Sequence, residues 1–80
     1  MKRVEVEWVD AVSRTKWESR EDASRHKPEK IRTSGYLVKR DRECVIVALS
    51  HDMDGGVSDK IIIPRSVVKS IKELKDASGK

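Results

Sequence analysis

Residues 60–71 have the sequence KIIIPRSVVKSI, a β-branched run that one proline interrupts and two valines resume. Pro64 has no amide hydrogen for a strand ladder and holds φ near about −65°, so the first strand must end there. Arg65, Ser66 and Val67 are enough for one 3₁₀ turn before pairing resumes. The segment therefore predicts two strands that meet at a sharp corner, as in small β-barrels.

The element after this corner has an ambiguous periodicity. Val67, Val68, Ile71 and Leu74 follow the i, i+1, i+4, i+7 spacing of an amphipathic helix at least as well as that of a strand. Two valines and an isoleucine directly after the turn favour a short strand. Residues 76–80 are expected to form a polar tail, so the predicted single domain spans residues 1–75.

Three further strands are predicted upstream. Residues 4–10 alternate with period two, which places Val4, Val6 and Trp8 on one face in the core. The strand pattern returns at residues 31–38, where Gly35 predicts a bulge or bend. The charged residues 39–43 predict a hairpin turn. The strand that follows is apolar at nearly every position, so both of its faces are expected to be covered.

The remaining segments predict connections. Residues 51–59 contain two glycines and several aspartates, which are typical of a turn before the fourth strand. Residues 11–30 carry few apolar side chains and predict a long first loop. Within it, Ser19 begins a weak capping-box variant that predicts a short helix, and Pro28 ends any helix before it. The sequence thus predicts a mainly β fold, a bent five-stranded antiparallel sheet that closes into a barrel.

The corner IPRSVV, residues 63–68, resembles the end of SH3-like barrels, in which an isoleucine-proline pair and a 3₁₀ turn precede the last strand. Sm-like barrels have a related corner. The resemblance implies a small SH3-like or Sm-like five-stranded antiparallel barrel with a long first loop. The aromatic first loop and paired tyrosines of peptide-binding SH3 domains are missing, and no uridine-stacking residues of Sm-like proteins can be located, so neither ligand is implied.

A broader resemblance covers most of the chain. The elements W-x-D-A at residues 8–11, G-Y-L-V at residues 35–38 and I-P-R at residues 63–65 resemble short uncharacterised phage and prophage proteins. This resemblance implies a viral accessory protein, and it supplies no catalytic residues.

Composition sets the limits of the fold. The chain has 80 residues, of which 36% are apolar and 40% charged, enough for one domain with one small core. The single cysteine, Cys44, is expected to be a small buried strand residue. No apolar run approaches the roughly 18 residues of a membrane span, and the N-terminal segment lacks the apolar part of a signal peptide. We therefore expect a cytoplasmic protein, in the host cytoplasm if phage-encoded, with no membrane partner.

No constellation of residues predicts catalysis. The acidic loop after His51 does not match the ligand spacing of an EF-hand, and a plain turn explains it better. His26 has no Cys or His at the spacing of a zinc site. Cys44 and His51 are seven positions apart on one strand and its exit, roughly 20 Å or more, too far for a nucleophile and its base. We therefore predict a non-enzymatic protein with no catalytic residue, metal or cofactor.

Basic residues are concentrated in the first loop and at the tip of the predicted hairpin, within a net charge of +4. Such groups either bind phosphates or only solvate the surface. Trp17 is expected to plug the mouth of the barrel rather than to face a ligand, and Tyr36 to be a cross-strand packing partner rather than a base-stacking ring. The candidate residues for binding nucleic acid or a partner are Arg14, Lys16, Trp17, Arg25, Lys27, Lys30, Arg32, Tyr36, Lys39, Arg40 and Arg42.

Three functions remain open on this evidence. The favoured one is a protein-interaction barrel that binds a host or self partner through exposed strand edges, with a homo-oligomer as one form. The alternative is a small basic barrel that binds single-stranded or double-stranded nucleic acid through its loops. The third is an oligomer that binds a small anionic nucleotide between subunits through Arg65 and neighbouring lysines.

Overall fold

The computed structural model describes residues 1–75, and the predicted polar tail lies outside them. Five strands account for most of this part of the chain, with one helical turn in the first loop and one 3₁₀ turn at the corner. The elements in chain order are β1 (Arg3–Asp10), α1 (Arg20–Ala23), β2 (Glu29–Arg40), β3 (Cys44–His51), β4 (Val57–Pro64), the 3₁₀ turn (Arg65–Val67) and β5 (Val68–Leu74).

The proline corner has the form expected from the sequence. Pro64 is the last residue of β4, the 3₁₀ turn follows at once, and β5 is a strand rather than a helix. The backbone N–H of Arg65 donates to the carbonyl oxygen of Glu43 at 2.9 Å. This bond ties the corner to the turn between β2 and β3.

All five strands form one antiparallel sheet in the order β4-β3-β2-β1-β5. The long strand β2 pairs with β1 over Glu29 to Tyr36 and with β3 over Tyr36 to Arg40. The sheet therefore has two halves that share β2, which we call the β1–β5 half and the β3–β4 half. The mainly β, antiparallel, five-stranded prediction is confirmed. Within residues 1–75 no ladder joins the edge strands β4 and β5, so hydrogen bonds do not close the sheet into a barrel.

Gly35 lies where β2 passes from one half to the other. A Cβ atom at this position would collide with the backbone oxygen of Ala48 and lie 2.7 Å from Cγ1 of Val47. Glycine is thus required for the close approach of β3. The irregularity of register falls three residues later, between Leu37 and Lys39, so the bulge is at Val38 and not at Gly35.

The core draws residues from both halves. Val4 and Val6 of β1 pack with Val45 and Val47 of β3 and with Ile63 of β4, and each is at most 3% exposed. Every second residue of these strands points inward, as the period-two pattern predicts. The partly buried residues that pack against this cluster are Trp8, Leu37, Ile61, Val67, Val68 and Ile71.

Three expectations about burial are corrected. The second face of β3 is not covered throughout, because Ile46 is only half-buried and its ladder partner Ile62 on β4 is 58% exposed. Cys44 is likewise half-buried. Trp8 packs against the core but is only half-buried, and its indole N–H donates to Oγ1 of Thr33 at 3.0 Å.

No helix in the described part of the chain is long and apolar enough to cross a membrane.

Candidate binding surfaces

The outer side of the β3–β4 half is apolar. Ladder partners place their side chains on the same face, and Val45 with Ile63 faces the core. The next pair, Ile46 with Ile62, therefore faces outward, and Ile62 is 58% exposed. Val38, the extra residue of the bulge, is also exposed. We call Val38, Ile46 and Ile62 the outer apolar surface.

This surface ends at an open strand edge. β4 is the last strand of the sheet, so one side of its backbone lacks ladder partners within residues 1–75. Its only charged residues are Asp59 and Lys60, and Asp59 has a left-handed φ of 48°. Asp tolerates this conformation better than most residues. The segment after Lys60, Ile61 to Ile63, carries no charge to oppose pairing with another strand.

The outer side of the β1–β5 half is charged. Glu5 of β1 is the ladder partner of Lys72 on β5. Glu7 is the partner of Arg32 on β2, and its Oε1 lies 3.2 Å from the Nε of Arg32. The edge strand β5 also shows a register irregularity next to Glu7, around Lys69. Charges and a bulge are devices that keep an edge from pairing.

A cavity of about 680 Å³ opens at the end of this charged half. Half-buried Trp8 forms part of its wall, but the indole N–H is already used by Thr33. Among the residues of the wall that lie within positions 1–75, the one acidic side chain, Glu7, is paired with Arg32. The lining residues are Glu7, Trp8, Val9, Lys30, Ile31, Arg32 and Lys69.

The first loop does not place Trp17 as expected. The indole is fully exposed and plugs nothing, so that prediction is wrong. Arg14 and Lys16 precede it and line a cavity of about 430 Å³ together with His26, whose Nε2 lies 2.7 Å from Oε1 of Glu18. An exposed indole beside two cations is a combination that single-strand binders use.

The short helix inside this loop begins as the sequence predicts. Oγ of Ser19 accepts a hydrogen bond from the backbone N–H of Asp22 at 3.0 Å, so Ser19 is the N-cap of α1. Arg25 after the helix is paired with Glu21 at 3.6 Å and with Asp22 at 3.5 Å.

At the tip of the β2–β3 hairpin, Asp41 organises the turn. Its Oδ1 accepts hydrogen bonds from the backbone N–H groups of Glu43 at 2.8 Å and Cys44 at 3.0 Å, and its Oδ2 lies 3.1 Å from Nζ of Lys39. The backbone bonds from Cys44 and Glu43, followed by the bond from Lys39, hold the pKa of Asp41 below its usual range. The same hydrogen bond and the charge of Asp41 raise the pKa of Lys39.

Three arginines surround this turn. A cavity of about 450 Å³ is lined by these arginines and by Asp41. The arginines are Arg40 at the end of β2, Arg42 in the turn and half-buried Arg65 at the corner. Arg65 is not one of the eleven candidate residues, although the third function left open by the sequence uses it without Arg40 and Arg42. The sequence signal that could have indicated Arg65 is the isoleucine-proline corner. This corner places Arg65, the residue after Pro64, opposite the tip of the β2–β3 hairpin.

The predicted site residues do not form one surface. Arg25, Arg32 and Lys39 are engaged with carboxylates. Arg14, Lys16 and Trp17 lie in the first loop and Lys27 lies between α1 and β2, whereas Lys30 belongs to the cavity beside Trp8. Tyr36 packs edge-on against His51, with ring centroids 4.5 Å apart. Three pairs of candidate residues each share a cavity, namely Arg14 with Lys16, Lys30 with Arg32, and Arg40 with Arg42, and Arg65 joins the last pair.

Within residues 1–75 no group of three or more His, Cys, Asp or Glu side chains is placed to hold a metal ion. No family model, curated protein or solved structure matches this chain. Any function must therefore be argued from the surfaces themselves.

Proposed function

We propose that this protein is a non-enzymatic interaction module that binds an extended segment of a partner protein along β4. The exposed side chain of Ile62, on an edge strand and beside half-buried Ile46, carries the proposal. In strand addition, the partner backbone pairs with the free edge, and alternate side chains contact the adjoining face. The outer apolar surface provides such a face next to such an edge.

The partner segment is proposed to carry acidic residues beside an apolar one. Lys60 lies two positions before Ile62 on the same face of β4, and none of the ion pairs among residues 1–75 uses it. A carboxylate in the partner strand would meet the amine of Lys60, whereas a second copy of this chain would bring a second net charge of +4.

The proposal also covers the fold family to which the chain is related and the cell in which its partner is found. The strand order, with β1 between β2 and β5, and the 3₁₀ turn between β4 and β5 support an SH3-like or Sm-like barrel relationship. The resemblance to phage and prophage proteins makes a host protein in the host cytoplasm the proposed partner. A single edge strand and three apolar side chains offer a small interface, which suits a transient complex.

A designed peptide tests this proposal directly. The probe is a peptide of about ten residues with the repeat Thr-Val-Thr-Glu, which places valine and glutamate two positions apart on one face, and the control peptide has lysine in place of each glutamate. Titration of ¹⁵N-labelled protein is expected to shift the amide signals of β4 with the acidic peptide and to leave those of β5 unchanged. Ile62→Asp is expected to remove the shifts, and Lys72→Asp, on the opposite edge, to retain them.

Other results would overturn the proposal. Equal shifts with both peptides, or shifts confined to β5, would show that β4 does not select an acidic apolar strand. Sedimentation of the protein without peptide tests whether a second copy of this chain occupies the β4 edge. A dimer that Ile62→Asp dissociates would mean that a second copy occupies this edge instead of a partner.

A second function, the binding of nucleic acid, is favoured by the full exposure of Trp17 beside Arg14 and Lys16. Base stacking on an exposed aromatic ring combines with phosphate contacts from neighbouring cations. Fluorescence anisotropy with labelled single-stranded and double-stranded oligonucleotides, at about 50 and 200 mM salt, tests it. Binding that weakens steeply with salt and is lost in Trp17→Ala would support this function. Tyr36→Ala is the companion variant, and absence of binding at the lower salt would exclude the function.

A further inference from the structure

The backbone brings three arginines from separate segments to one place. Arg40 is the ladder partner of Val45, which is in turn the partner of Ile63 on β4. Two residues beyond Ile63, the N–H of Arg65 is bonded to the carbonyl of Glu43 at 2.9 Å. The corner is therefore held against the hairpin tip, and this contact explains why Arg65 lines the same cavity as Arg40 and Arg42.

The carboxylate that lines this cavity, that of Asp41, already has partners outside the three arginines. Both oxygens of Asp41 have partners, Oδ1 with the backbone N–H groups of Glu43 and Cys44 and Oδ2 with Lys39. None of the ion pairs found among residues 1–75 involves any of the three arginines. The cavity of about 450 Å³ is therefore lined by three guanidinium groups that form no ion pair within the described chain, and by one carboxylate whose oxygens already have other partners.

We propose that Arg40, Arg42 and Arg65 form a binding site for a phosphoryl group. Guanidinium groups present paired N–H donors whose geometry matches two oxygens of a phosphate, and several of them balance its double charge. The phosphoryl group belongs either to a small polyphosphate or to the backbone of a polynucleotide. The inference is independent of the proposed strand addition, because it uses no residue of the outer apolar surface.

The site is tested with two probes of different size. ¹⁵N-labelled protein is titrated with sodium pyrophosphate and, separately, with a single-stranded oligonucleotide of about 12 nucleotides, both at about 50 mM salt. Concentration-dependent shifts are expected at the amides of Arg42, Glu43 and Arg65. Saturation with pyrophosphate identifies a small-ligand site, and saturation with the oligonucleotide alone identifies a polynucleotide phosphate.

Matched variants separate the site from general charge. Arg42→Ala is expected to weaken binding of the effective probe about tenfold or more, because charge-assisted hydrogen bonds are lost. Arg65→Lys keeps the charge but loses the paired donors, and it is also expected to weaken binding. Arg25→Ala removes the same charge from a residue paired with Glu21 and Asp22, and it is expected to bind within about twofold of the unmodified protein.

The inference is overturned if neither probe shifts these amides, or if Arg25→Ala weakens binding as much as Arg42→Ala does. Arg42 is an exposed turn residue, so its substitution is expected to leave the fold intact, and the unchanged amide spectrum of β1 and β3 is the check. Ile62→Asp and Trp17→Ala are expected to bind pyrophosphate normally. Failure of either proposed function is thereby distinguishable from failure of this site.

Discussion

The two halves of the sheet share β2 and one core, yet their outer faces differ in chemistry. In the β1–β5 half, the outward positions of β1 are glutamates that face Lys72 and Arg32 across the ladders. In the β3–β4 half, the outward pair is Ile46 with Ile62. The buried residues of the core cluster, which come from both halves, are valine and isoleucine. Packing of the core thus explains why the inner residues of both halves are apolar, but it does not explain why the outer positions 46 and 62 are isoleucine.

This difference indicates which edge is available to a partner. The charged edge strand β5 contains Lys69, Lys72 and Glu73 and is irregular in register, so addition of a further strand is opposed. The edge strand β4 has an uncharged run at its end. A selective pressure for stability alone would not require exposed isoleucine there, since alternation with polar residues suffices in a one-sided sheet.

The largest expected effect separates the inner and outer faces of β4. Ile63→Ala is expected to lower the free energy of unfolding by about 3 kcal/mol, because a fully buried side chain leaves a cavity in the core. Ile62→Ala is expected to cost about 0.5 kcal/mol or less, since its side chain is mostly in water. Urea unfolding of both variants measures the difference. Equal losses would mean that the outer surface is also part of the core.

The next effect concerns the junction of the two halves. Gly35→Ala is expected to destabilise the protein by about 2 kcal/mol, because the added methyl group meets the backbone of Ala48 and the side chain of Val47. Ser34→Ala, one residue earlier and exposed, is the control and should unfold close to the unmodified protein. Urea midpoints measure both. A neutral Gly35→Ala would show that β2 and β3 can separate without cost.

A smaller effect is expected on the charged outer face. Glu7→Gln removes the ion pair with Arg32 and is expected to cost about 0.3 kcal/mol at low salt, because exposed pairs are well screened. The loss should vanish near 1 M salt. A double-mutant cycle with Arg32→Gln isolates the pair. A coupling that persists at high salt would contradict the assignment of this face as solvated.

The smallest effect on stability is expected from a change of pH at the hairpin tip, where both carboxylate oxygens of Asp41 have hydrogen-bond or ion-pair partners. Because the pKa of Asp41 is below its ordinary 3.8 in the folded protein, its contribution to stability is present above that value and is lost as pH falls through the folded pKa. The raised pKa of Lys39 gives a contribution present below 10.5 and lost as pH rises above it. Thermal unfolding across both ranges should show both losses, and Asp41→Asn should abolish the acidic one.

The candidate sites were only partly predictable. The sequence indicated Arg40 and Arg42 at a hairpin tip, but it did not associate Arg65 with them, because their proximity depends on the bond between Arg65 and Glu43. The expectation that Trp17 plugs the barrel mouth is wrong, because it rests on the usual burial of indole rings in domains with few apolar residues, whereas this indole is fully exposed. A long polar loop offers no core against which that ring can pack.

Local chemistry in the sequence determined the strands, the Ser19 cap, the 3₁₀ turn and the corner at Pro64. These features depend on periodicity, on side-chain hydrogen bonds to nearby backbone groups and on the missing amide of proline, all of which act within a few residues. The tertiary structure alone decided that Ile62 faces water while Ile63 is buried, and that three arginines share one cavity. An uninterrupted apolar run carries no alternation to mark its inner face, and the convergence of distant side chains depends on ladder pairing between segments far apart in the chain.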